Sequence, residues 1–125
     1  MKKSNLDQLN DSGLQLLFEG FNEIFFNSRI APGVKVMFVP SRQLKKANRK
    51  YLADASWKPS TREIHIDKMY ARSEPMTCIL LLHEMAHAVL ESTYIGHPDD
   101  DPGHGMIYQV ELHRLFMAGA YDGLL

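Results

Sequence analysis

The chain has 125 residues, a hydrophobic fraction of 45%, a charged fraction of 23% and a formal net charge of -1. This length and composition fit one folded domain over residues 1–125, and the near-neutral charge gives no global attraction to nucleic acid or to membrane. The single cysteine, Cys78, excludes an intrachain disulfide and a cysteine-based zinc module.

The hydropathy pattern of the chain indicates neither a secretion signal nor a membrane-spanning segment. The N-terminal lysines are not followed by the apolar segment of a signal peptide, and no apolar run approaches the roughly 18 residues of a membrane span. We therefore expect a cytoplasmic protein that makes no membrane contact.

The first half of the chain predicts a helix followed by strands. An amphipathic helix is indicated, with Ser4 or Asp11 as its cap, by a stripe of apolar residues at helical spacing: Leu14, Leu17, Phe18, Phe21, Ile24 and Phe25. A strand is predicted over 34–39, a loop or short helix over 41–50, and strands over 51–57 and 62–67 that form a hairpin around Pro59.

Two further helices complete an α+β layout. Ser73 and Pro75 signal the start of a helix that is apolar nearly all round, which is typical of a buried helix. After an acidic loop, a last helix is predicted from about residue 104 to residue 118. It carries a stripe formed by Tyr108, Leu112, Leu115 and Phe116.

The run His83-Glu84-Met85-Ala86-His87 lies inside the buried helix. Histidines four positions apart share one helix face, so both imidazoles can bind one Zn²⁺, which accepts neutral histidine nitrogens. Glu84 is offset around the helix and is predicted to be the catalytic base that takes a proton from an activated water. Burying these three polar residues without partners costs free energy, and a bound metal would offset that cost.

A catalytic zinc site needs a third protein ligand. A metzincin would have glycine at position 90 and histidine at position 93, and this chain has Leu90 and Thr93, so that class is excluded. Four candidates for the third ligand remain: Glu91, His97, His104 and Glu111. Glu91 and Glu111 could instead hydrogen-bond a ligand histidine without binding the metal.

The chain resembles the SprT-like, or Spartan-type, zinc metallopeptidase domain. The resemblance is carried by the run from Leu81 to Ala88, by His104-Gly105 opening a helix, and by the paired aromatics between Phe18 and Phe26. It implies a zincin-like fold, hydrolysis of peptide bonds with one Zn²⁺ per chain, and a zinc shell of His83, His87 and His104. Many relatives carry a C-terminal zinc ribbon, and we expect none here because the chain has one cysteine.

The resemblance also implies action on DNA-associated proteins, and the sequence offers one basic stretch for DNA contact, which includes Lys45, Lys46 and Arg49. Tyr108 is a candidate for supporting the transition state. The leading hypothesis is thus a zinc endopeptidase acting on a protein or peptide. The alternative is a non-proteolytic zinc-binding regulatory or DNA-binding module that keeps the fold. The oligomeric state stays open.

Overall fold

The computed structural model describes residues 8–47, 54–93 and 106–124. These residues form a small mixed sheet with helices around it, which confirms the predicted α+β class. The elements in chain order are α1 (Asp11–Phe25), β1 (Lys35–Val39), α2 (Ser41–Ala47), β2 (Ala55–Lys58), β3 (Glu63–Asp67), a 3-10 turn (Lys68–Tyr70), α3 (Glu74–Thr93) and α4 (Met106–Met117).

The sheet has the strand order β1-β3-β2. β1 runs parallel to β3, with Val36 opposite Ile64, and β2 runs antiparallel to β3, with Trp57 opposite Ile64. The antiparallel pair is the hairpin predicted around Pro59. In this order β3 is the central strand, and β1 and β2 form the two edges of the described sheet.

One face of the sheet packs on α1 and α3 to form the core. Alternation along β3 sends Ile64 and Ile66 into this core, where both are fully buried, and turns His65 to the opposite face. From the helices the core receives Leu14 and Phe18 of α1 and an apolar set from α3: Leu81, Leu82, Met85, Ala86 and Val89. The buried helix predicted from the apolar run 76–89 is therefore α3.

The N-terminal cap of α1 differs from the prediction. Asn10 is the cap residue, and its side-chain oxygen accepts a hydrogen bond of 2.8 Å from the Gly13 N–H. Asp11 is instead the first helical residue, and its carboxylate accepts from the Phe38 N–H of β1 at 2.9 Å. The side-chain amide oxygen of Gln15 accepts a hydrogen bond of 3.0 Å from the Val36 N–H. Side chains of α1 thus accept hydrogen bonds from two backbone N–H groups on the outer edge of β1. Ser4 lies outside the described residues.

Asn10→Ala is expected to lower the free energy of unfolding by about 1 kcal/mol, because the Gly13 N–H at the start of α1 loses its acceptor. Urea denaturation of the variant and of Ser12→Ala, an exposed neighbour on the same turn, measures the difference. Equal stability of the two variants would show that the cap contributes nothing.

Two apolar residues were placed wrongly by their periodicity. Ile24 of α1 is 67% exposed and Phe116 of α4 is 58% exposed, although the helical spacing places both on the apolar stripes of their helices. Both have fully buried neighbours, Phe26 two positions after Ile24 and Leu115 directly before Phe116, so the helix ends stay in the core while these two side chains face outward. None of the helices in the described part of the chain is long and apolar enough to cross a membrane.

Candidate metal centre

Helix α3 carries the histidine motif and is fixed at its start by polar contacts. The Ser73 hydroxyl accepts a hydrogen bond of 3.3 Å from the Met76 N–H, which is the cap that the sequence predicts. The Thr77 hydroxyl donates to the Tyr70 carbonyl oxygen at 2.7 Å, which ties the helix to the preceding 3-10 turn. These two contacts fix the start of α3 relative to the residues that precede it.

His83 and His87 are both half-buried on one face of α3. Their ring centroids lie 5.2 Å apart with an interplanar angle of 71°. This is the separation of one helical turn, as the spacing requires. The structure thus brings these two side chains together on one face of α3, at the edge of the core.

Glu84 is buried beside these histidines, with 6% of its surface exposed. Burial raises the pKa of its carboxyl to about 8, and a hydrogen bond from the backbone N–H of Trp57 acts in the opposite direction. Trp57 belongs to edge strand β2, so the carboxylate lies between α3 and the edge of the sheet. No sequence pattern predicts this contact, because it depends on the packing of β2 against α3.

Tyr108 of α4 packs against both histidines. Its ring stacks on His87 at a centroid distance of 4.3 Å and an angle of 28°, and meets His83 at 5.3 Å. Its hydroxyl donates a hydrogen bond of 2.9 Å to the backbone carbonyl oxygen of His83. Burial, followed by the nearby charge of Glu84, raises the pKa of this phenol, so it stays protonated and able to donate.

Glu111 lies one turn after Tyr108 on α4 and is also buried. Its carboxylate contacts the guanidinium of Arg114 at 2.5 Å and that of Arg29 at 3.4 Å. Within the part of the chain that the structure describes, both polar partners of this carboxylate are thus arginines. Sequence reasoning missed both arginines: Arg114 was visible at the i, i+3 spacing, whereas Arg29 is 82 positions away.

Several predicted residues lie where the structure gives no site geometry. His97, His104 and Arg49 are outside the described residues. Glu91 falls in the last turn of α3, one turn beyond His87, and Lys45 and Lys46 fall at the end of α2. Among the residues described, no group of three His, Cys, Asp or Glu side chains is placed to hold a metal ion. The third ligand thus remains a prediction.

The two histidines and the glutamate fit a zinc ion by their chemistry. Imidazole nitrogens are preferred zinc ligands, and a nearby cation would offset the cost of a buried carboxylate. The same carboxylate without a cation stays largely protonated at neutral pH, as its raised pKa indicates.

The chain matches a known protein family over most of its length. The model of the SprT-like family matches residues 14–120, from the first buried leucine of α1 to the residues after α4. The chain belongs to the SprT-like family. This family is commonly linked to metallopeptidase-like function. The match spans α3, strand β2, whose Trp57 contacts Glu84, and helix α4, whose Tyr108 packs on both histidines. Neither a curated protein nor a solved structure gave a match to the chain.

Proposed function

We propose that this SprT-like chain is a zinc-dependent endopeptidase that hydrolyses peptide bonds with Glu84 as the catalytic base. The observation that carries the proposal is the burial of the Glu84 carboxylate beside two histidines of one helix face. A carboxylate at this place is costly for the fold unless a cation compensates it, and it is suited to moving a proton.

His83 and His87 would hold the zinc, together with His104 as the proposed third ligand. When bound, zinc supplies Lewis acidity, which brings the pKa of a water to roughly 7. The chain's own residues then do the following. The Glu84 carboxylate accepts a proton from the attacking water and passes it to the leaving amine, while the Trp57 N–H keeps that carboxylate in place.

Tyr108 orients the histidines by the stacking of its ring and by its bond to the His83 carbonyl oxygen. Since its hydroxyl hydrogen is engaged by that carbonyl, we assign it to positioning of the ligands rather than to the scissile carbonyl. This replaces the role in transition-state support that the sequence suggested.

The edge of β2 suits a peptide substrate. Extended peptides commonly bind by adding a strand to the edge of a sheet, with main-chain hydrogen bonds supplying affinity. Because Trp57 of β2 contacts Glu84, a peptide bound along this edge lies next to the proposed base. A non-proteolytic zinc module has no use for such a base, so the intact Glu84 favours the enzyme.

The purified protein is expected to contain about one zinc per chain, and a chelator should remove both the metal and the hydrolysis of an unstructured protein such as casein. Elemental analysis, followed by an assay before chelation, after it and after return of zinc, measures this. Protein that takes up no added zinc would contradict the proposal. Zinc-loaded protein that cleaves nothing would favour the non-proteolytic module.

A further inference from the structure

Four residues form a closed chain of contacts that links the end of α1 to α4. Arg29 donates from Nε to the Phe26 carbonyl oxygen at 3.0 Å and from Nη2 to Glu111 at 3.4 Å. Glu111 also binds Arg114, whose guanidinium lies 5.6 Å from the centre of the Phe26 ring. The circuit therefore starts and ends at Phe26, which is fully buried in the core. We call these four residues the arginine clasp.

The loop that carries Arg29 is held by its own hydrogen bonds. Asn22 donates to the Ile30 carbonyl oxygen at 3.0 Å and accepts from the Ile30 N–H at 3.2 Å. Between them, Asn27 and Ser28 adopt positive φ angles of 52° and 57°, which bring the chain sharply around at the end of α1. The clasp thus ties α4 to a well-defined turn and to the core.

The charges of the clasp make Glu111 its central member. Its side chain is 7% exposed, whereas those of Arg29 and Arg114 are 40% and 37% exposed. Removal of the carboxylate leaves two arginines facing each other without a counter-charge. Charge-assisted bonds to a buried carboxylate are among the stronger side-chain contacts, so this loss releases α4 from the turn.

Glu111 and Tyr108 are three residues apart on α4 and so lie on neighbouring positions of one helix face. The clasp therefore holds α4 one turn after Tyr108, whose ring stacks on His87. We propose that Glu111 is a positioning residue of the metal centre: through Arg29 and Arg114 it sets the place of α4, and thereby the contact of Tyr108 with His83 and His87. Its consequence for zinc rests on the proposed function, and its consequence for the Tyr108 stacking does not.

The test is carried out first on metal-free protein by NMR of the His87 ring protons, which a stacked tyrosine ring shifts upfield. Glu111→Gln and Arg29→Gln are expected to move these signals toward the values of an unstacked histidine, and Arg29→Lys, which keeps the charge, to move them less. Phe18→Leu is the matched control, because it alters the core on the side of α1 at a residue that is not a member of the clasp. It should leave the His87 signals in place.

Zinc affinity, measured by competition with a chromophoric chelator, is expected to fall about tenfold in Glu111→Gln, as for other residues that support metal ligands. Unchanged His87 signals in the glutamine variants, or an equal shift in Phe18→Leu, would overturn the positioning role. If Glu111→Gln fails to fold, the more exposed Arg29 supplies the deciding variant. Wild-type protein that binds no zinc refutes the proposed function, while the NMR result still decides the role of the clasp.

Discussion

Replacing Glu84 by glutamine is expected to lower peptide hydrolysis by at least about 100-fold while leaving one zinc per chain. Glutamine has the same shape as glutamate, yet it cannot accept the proton that general-base catalysis requires, and such catalysis contributes roughly 10²–10⁴-fold. The fold should tolerate the change, because the buried carboxyl already has a raised pKa and its neutral form fits the site. Rates of casein cleavage, zinc content and thermal unfolding of the same sample measure the three effects.

Glu74→Gln is the matched control, since it makes the same chemical change on the same helix at an exposed position in the first turn. It should cleave at the wild-type rate. Zinc-loaded Glu84→Gln that retains hydrolysis would show that Glu84 is not the base. Loss of zinc in this variant would show instead that the carboxylate belongs to the metal shell.

The sequence predicted those elements of the fold in which the local residue pattern matches the burial in the structure. The alternation of Ile64, His65 and Ile66 predicted β3 and its two faces, and the turn at Pro59 predicted its pairing with β2. The cap of α1 was not predictable from residue type alone. Asn10 and Asp11 are both good caps, and Asp11 is engaged by β1, which is 27 positions away.

The same distinction between local and long-range contacts applies to the candidate site. The spacing of His83, Glu84 and His87 is a property of one helix, so the sequence alone predicts that the three lie together. The contacts that support them join separate elements: Trp57 reaches Glu84 from β2, and Arg29 reaches Glu111 from the end of α1. Such contacts depend on how the elements pack, and no local periodicity encodes them.

The proposed third ligand leads to the second prediction of large effect. His104→Ala is expected to reduce zinc affinity by more than the roughly 10–100-fold that loss of a supporting partner costs. His104 precedes α4, which begins at Met106, and Tyr108 in the first turn of α4 packs on both histidines of α3. We therefore expect His104 to reach the same side of α3, where a third imidazole would leave the fourth zinc position for water.

Competition with a chromophoric chelator, applied to His104→Ala, Glu111→Gln and His113→Ala, separates the alternatives. His113→Ala removes the same side chain from an exposed position on α4 and should bind zinc like the wild type. Glu111→Gln should lower the affinity only about tenfold, because the Glu111 carboxylate contacts Arg29 and Arg114 and is proposed to support the zinc ligands rather than to bind zinc. If Glu111→Gln is instead the more damaging change, Glu111 is the third ligand and the site is built as in thermolysin. If His104→Ala matches His113→Ala, His104 lies outside the zinc shell, and the ligand must come from Glu91 or His97.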